Sequence, residues 1–115
     1  MSILSLQQKL REFADKRDWD QFHSPKNLAM AQSVEASEIV EHFQSLTQEQ
    51  STNLPEGKFK EVEEEIGDVL IYLIRLADKL DIDILQVAEN KIEVNTQKYP
   101  VKKSKGSALK YTELE

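Results

Sequence analysis

Lys58-Phe-Lys-Glu-Val-Glu-Glu-Glu65-Ile-Gly-Asp68-Val-Leu-Ile-Tyr72-Leu-Ile-Arg75-Leu-Ala77-Asp-Lys-Leu80 decides the fold of this chain. Its length and three- and four-residue spacing predict a helix from about Lys58 to Leu80. Ile66, Val69, Leu70, Leu73 and Ala77 form one stripe, while Ile71, Ile74 and Leu76 point elsewhere. A helix that is apolar nearly all round needs burial on several sides. One partner layer in so short a chain does not suffice, so an oligomer is expected to cover the remaining face.

The segments around it are helical too. Upstream, Thr47 to Gly57 is polar, contains Pro55 and Gly57, and reads as a loop. Before it, Ser24-Pro25 is a helix start, because Ser caps free amides and Pro is tolerated at the first helical position. That helix extends to roughly Leu46. Ile3, Leu6, Leu10 and Phe13 mark a first helix from Ser2 to about Lys16, and Arg17–His23 breaks its period with three ring-bearing residues. Downstream, Asp83 is an expected N-cap for a last helix to about Gln97, with Leu85, Ala88 and Ile92 as core positions and Tyr99-Pro100 as its stop. The fold class is all-α, a four-to-five-helix bundle over residues 1–100. Residues 101–115 read as an irregular tail.

Composition narrows the function. The 115 residues are 39% apolar and 31% charged, suited to one globular domain. A net charge of −6 argues against a nucleic-acid polymer as partner, since such binding rests on many cationic contacts to phosphates. It leaves a phosphate-bearing small molecule open, because metal ions invert local charge. There is no cysteine, which excludes disulfides, thiolate metal sites and a catalytic thiol, and fits a cytoplasmic location. No leader pattern precedes the first helix, and the apolar run Val69–Ile74 is too short to span a membrane.

The acidic residues carry the chemistry. Glu35 and Glu38 are three apart and share a helix face. Leu28, Ala36, Ile39, Phe43 and Leu46 define the apolar stripe of that helix, with Glu35 inside it and Glu38 at its edge. Dehydrating an unpaired carboxylate costs several kcal/mol, so such placement asks for a partner. Glu65 and Asp68 repeat the device in the most apolar helix, and antiparallel packing of the two helices would bring the pairs together. Four facing carboxylates repel unless a cation sits among them, and an all-oxygen set suits Mg²⁺, with Mn²⁺ as a substitute. Glu61, Glu63 and Glu64 read as a solvated helix start. Glu41 is a secondary candidate, turned away from Glu35.

The pattern Glu35/Glu38, spacer, Glu65/Asp68 resembles the metal signature of the MazG-like all-α NTP pyrophosphatases. The segment from Arg17 to Leu28, the block Glu64–Leu73, and the closing Lys91, Asn95, Lys98-Tyr99-Pro100 are similar to the dCTP pyrophosphatase branch. The signature alone is modestly specific; the three blocks in order, over positions 17 to 100, are highly specific.

The resemblance implies Mg²⁺-dependent cleavage of a nucleoside triphosphate between the α and β phosphates, with dCTP or a modified dCTP preferred. It implies a role in clearing the nucleotide pool, and a dimer or dimer of dimers with sites at subunit interfaces. One cage carboxylate, Glu38 first and Glu35 beside it, would accept a proton as water attacks phosphorus. Trp19 and His23 match the base-pocket block, and Tyr72 the sugar-facing tyrosine. Lys91 and Lys98 match the phosphate-holding lysines, Asn95 a sugar or phosphate contact, and Tyr99 closes the block. Each has a plainer reading: Trp19 as a lid over the core, Tyr72 and Tyr99 as packing, the lysines as solvated. Two positions depart from the family pattern. Ser45 follows Phe43-Gln44 where cytosine-preferring relatives carry an aromatic, and Lys98 replaces a common Arg. A pyrophosphohydrolase of another base preference, dUTP among them, and a non-catalytic oligomerisation module with a cation site are the competing readings.

Overall fold

The computed structural model describes residues 1–114, and among them every regular element is helical. The order is α1 (Ile3–Lys16), a 3₁₀ turn (Asp20–Phe22), α2 (Pro25–Phe43), α3 (Gln48–Ser51), α4 (Glu56–Lys79), α5 (Ile84–Lys98), α6 (Val101–Ser104) and a second 3₁₀ turn (Tyr111–Glu113). The chain divides into two compact units, Met1–Ile82 and Asp83–Glu115.

Side-chain caps set the helix starts. The Ser2 hydroxyl accepts from the Ser5 amide, Ser24 from Asn27, and Asp83 from Gln86. Each relieves one of the amides that a helix start leaves unpaired. Ser24 caps α2 one residue ahead of Pro25, as the sequence suggested, and Asn27 also donates to the Phe22 carbonyl, tying the aromatic segment to the helix. Part of the expected 47–57 loop is helical: Thr47 and Gln50 form a reciprocal capping box on α3, and α4 begins at Glu56. That box needs only one turn of chain, too short for a hydrophobic period to show it.

Two helix ends turn through an aspartate in the left-handed region. Asp18 has φ 53° and Asp81 φ 55°. After α1, Trp19 donates to the Ala14 carbonyl at 2.9 Å and Asp18 to Asp15 at 3.1 Å; after α4, Ile82 donates to Ala77 at 2.8 Å and Asp81 to Asp78 at 3.1 Å. This paired pattern stops a helix by reversing its last turn, and glycine is its usual residue. The first of these stops aims Trp19 back toward α4. The left-handed conformation costs a side-chain-bearing residue about 1 kcal/mol. Asp81→Gly is therefore expected to raise stability by about that amount, read as a higher urea midpoint; an unchanged or lower midpoint would show that the Asp81 carboxylate outweighs the backbone cost.

In the first unit α4 is the central element, packed on α2 most extensively and on α1. Contacts fix the direction. The His23 region meets Arg75, Glu35 feels Asp68 and Glu65, and His42 reaches Glu65 and Glu61. Rising numbers before and along α2 thus meet falling numbers on α4, so the two helices are antiparallel. Ala14, Leu28, Val62, Ile74 and Ala77 form the buried core. The expected stripe on α4 is only partly right: Ile66, Leu70 and Leu73 are exposed, while Ile74 and Ala77 are inside. An all-round apolar helix gives periodicity no face to choose. In the second unit α5 buries no residue, and Leu85 and Ile92, expected in a core, are exposed. The segment after Pro100 is not wholly irregular, since α6 and the second 3₁₀ turn lie within it, and the Tyr111 ring packs edge-on against Tyr99.

Candidate active site

The antiparallel α2–α4 pair brings the two acidic pairs to one level. Glu35, Glu38 and Glu65 are half-buried and Asp68 is exposed. Burial above all, then the Glu38 carboxyl within hydrogen-bonding reach, then the charges of Glu38, Asp68 and Glu65 push the Glu35 carboxyl above the usual carboxylate range. The other three acids therefore all act on Glu35. They are not drawn into a closed ligand set: among the described residues no three acidic or histidine side chains are gathered to hold an ion. Two oxygens do ask for a ligand. Glu35 Oε2 and Glu65 Oε2 are buried without a hydrogen-bond donor. His42 Nε2 stands 3.1 Å from Glu65 Oε2, at ion-pair distance but off the line of a hydrogen bond, and its Nδ1 is 3.9 Å from Glu61. Orphaned hard oxygens on a four-acid face fit a hard divalent cation.

Beside this face lies a cavity of about 640 Å³. Trp19, His23, Tyr72 and Asp68, four residues singled out from sequence, line it together with Arg75 and Phe13. That volume suits a nucleobase and sugar. Phe13 meets Trp19 edge-on at 5.6 Å between ring centres, and Trp19 meets His23 edge-on at 6.5 Å. Arg17 lies 3.6 Å over the far ring of this row, Phe13. Asp68 belongs to both the acidic face and the cavity, so the two adjoin.

Arg75 and His42 were missed in the sequence. Arg75 is only 4% exposed and contacts Asp20, His23 and Asp78. Beneath it a polar cleft of about 300 Å³ is lined by Arg11, Asp15, Asp20, Asp78 and Lys79 as well. The hint was an arginine inside an otherwise apolar run, a placement that needs partners. The remaining candidates, Lys91, Asn95, Lys98 and Tyr99, lie on the second unit. Lys91 and Asn95 are exposed, and the Lys98 ammonium sits 4.7 Å over the Tyr111 ring.

The sequence pattern of the MazG-like family matches residues 30–114. The chain belongs to the MazG-like family. It is 45% identical over 105 residues to dCTP pyrophosphatase 1 of Mus musculus and 39% identical over 107 residues to that of Homo sapiens. Both alignments cover 90% of this chain but 62% of the relative, so the chain spans less than two thirds of these proteins. The fold is similar to the crystal structure of a pyrophosphatase from Archaeoglobus fulgidus, with a TM-score of 0.79 and 43% identity over 84% of this chain and 90% of the other. No described helix is long and apolar enough to cross a membrane.

Proposed function

We propose that this protein is a cytoplasmic nucleoside triphosphate pyrophosphohydrolase that converts a deoxynucleoside triphosphate, dCTP or a modified dCTP, and water to the monophosphate and pyrophosphate, clearing the nucleotide pool. The observation that carries this is Asp68, shared between the four-acid face and the cavity that holds Trp19, His23 and Tyr72. Kinship to proteins named dCTP pyrophosphatase 1 supports the substrate.

Glu35, Glu38, Glu65 and Asp68 would hold Mg²⁺, or Mn²⁺ in its place. The ion supplies charge neutralisation for the triphosphate and the departing pyrophosphate. Glu38 accepts the proton of the attacking water, with Glu35 as the neighbouring acid. A new phosphorus–oxygen bond forms to that water as the bridging bond to pyrophosphate breaks. Trp19 stacks on the base, His23 meets the base edge, and Tyr72 lies against the sugar, where a ring leaves little room for a 2′-hydroxyl. Lys91 and Lys98 as phosphate donors, Asn95 as a sugar or phosphate contact and Tyr99 beside them are proposed from the family likeness of their block. A homodimer or homotetramer is part of the same reading: Val34, Val40 and Ile66 are exposed large apolar side chains on α2 and α4, which a second copy would cover.

The test is a panel of dNTPs and NTPs, 5-methyl-dCTP included, incubated with and without Mg²⁺, with pyrophosphate separated from phosphate. Pyrophosphate is expected only with the metal, and fastest from a cytosine deoxynucleotide. Removing Mg²⁺ with a chelator is expected to lower the rate below detection, and Mn²⁺ to restore it. If no nucleotide is cleaved with either metal, the enzyme reading fails and the acids are a cation site in an interaction module.

A further inference from the structure

The partners of Arg75 bear on what His23 can do. Arg75 Nη2 donates to Asp20 Oδ1 at 3.0 Å and lies 3.1 Å from His23 Nδ1, to which Nε also donates at 3.3 Å. Its Nη1 is 3.8 Å from Asp78 Oδ2. A guanidinium has five N–H groups and no acceptor. The His23 nitrogen facing it must therefore accept, which leaves the ring hydrogen on the other nitrogen, Nε2. Two anchors keep the guanidinium in place. Asp20 is held from a second side by Lys79, and Asp78 by Arg11 and Gln7. Burial first, and then the charge of Arg75, hold His23 below its ordinary pKa, with Asp20 opposing and Lys79 adding to the effect, so the ring is neutral at physiological pH.

The geometry points to Arg75 as a positioning residue that fixes His23 as its Nε2–H tautomer, so that the cavity offers the base a single hydrogen-bond donor from this ring. This rests on reading the 640 Å³ cavity as the base pocket. A fixed donor is paired by an acceptor. Cytosine has adjacent acceptors at N3 and O2, whereas in uracil and thymine N3 carries hydrogen. A site built around one donor rejects a ring that presents a second donor to it, because both groups are left unpaired. Were the ring free to exchange tautomers, it would accept from uracil as readily as it donates to cytosine. Arg75 thus sets selectivity through His23.

The tautomer is directly observable in the ¹⁵N-labelled full chain, by two-bond ring correlations at neutral pH, with His42→Gln used to assign the second histidine. The expected result is one form of His23, protonated at Nε2 and unprotonated at Nδ1. A wild-type ring protonated at Nδ1 overturns the proposal, whatever the protein does to nucleotides. Arg75→Met removes every donor and is expected to give mixed tautomers. Arg75→Lys keeps the buried charge and one donor, and serves where Arg75→Met does not fold. It is expected to retain more of the Nε2–H form. If the tautomer is unchanged in every folded variant, Arg75 does not set it. The kinetic arm reads the ratio of kcat/KM for dCTP over dUTP. It is expected to fall at least about tenfold in Arg75→Met and by less in Arg75→Lys, mostly through a lower KM for dUTP, because mixed tautomers cost dCTP only the lost fraction of the donor form, and an unchanged ratio overturns the selectivity role. A wild-type protein that shows the Nε2–H form but cleaves no nucleotide fails the functional reading alone.

Discussion

Glu38→Gln is expected to lower pyrophosphate release by about 10³-fold while leaving the helices at least as stable as before. The two halves of that result come from the same feature. Glu38 is half-buried on α2, close enough to Glu35 that its carboxyl and its charge both raise the Glu35 pKa. Glutamine keeps the shape and one acceptor oxygen, cannot take a proton, and removes a charge that acts against the Glu35 carboxylate. As a proton acceptor in the reaction Glu38 is irreplaceable by an amide; as a member of the fold it is a source of strain. Active-site acids commonly trade stability for chemistry in this way. The measurement is a single-turnover assay of pyrophosphate from dCTP beside a thermal melt of both proteins without metal. A variant within tenfold of wild-type rate would remove Glu38 from the chemistry. A variant that melts well below wild type would show that Glu38 holds a structural partner instead.

The candidate site was legible in part from the sequence, for reasons that differ by residue. Glu35 stood out because a carboxylate in an apolar stripe contradicts the stripe, and Glu65 because it repeats the acidic pair in the most apolar helix; each has an oxygen that is buried and unsatisfied. Ser24, Pro25 and Asp83 were legible because capping is decided within four residues of chain. Trp19, His23 and Tyr72 came from family likeness, and three separate segments place them around one cavity. Arg75 showed only as an arginine in an apolar run, and its partners were not legible. Its partners Asp20 and His23 lie more than fifty residues away in sequence, and only the antiparallel α2–α4 packing brings them to it. His42 was opaque for the same reason: its reach to Glu65 depends on the register of the two helices. The buried face of α4 was misjudged because an all-round apolar helix lets tertiary contacts decide. The ends of the first and the long helix, at Lys16 and Lys79, were legible as breaks in the period, but the left-handed turns that make them were not, because glycine is the usual residue there and aspartate fills the position here.

The largest stability effect is expected at Asp78, which lies near the end of α4 and has nothing to do with phosphate. Its side chain is 10% exposed and accepts from Arg11 Nε at 2.7 Å, Arg11 Nη2 at 2.6 Å and Gln7 Nε2 at 2.5 Å. These bonds join α1 to α4, and Arg75 lies 3.8 Å away on the same helix. Asp78→Ala leaves Gln7 without its acceptor and buried Arg75 with one anion fewer. Arg11 is half-exposed and recovers water, which trims the loss. A cost of about 2–3 kcal/mol follows for charged hydrogen bonds of this kind. Acid should erase it. The hydrogen bond from Arg11 first, then Gln7 and the charges of Arg11 and Arg75, hold the Asp78 carboxyl below its ordinary range against the opposing effect of burial. A carboxylate with a lowered folded-state pKa contributes stability that is complete above its unfolded value of about 3.9 and is lost as pH falls through the folded one. Urea midpoints of wild type and Asp78→Ala should therefore lie furthest apart near neutrality and converge as the pH is lowered beyond about 4. A gap that stays constant into acid would assign the loss to packing alone. The same variant loosens the anchor behind Arg75, so its His23 ring should also begin to sample the second tautomer, linking the stability of the α1–α4 seam to the base pocket.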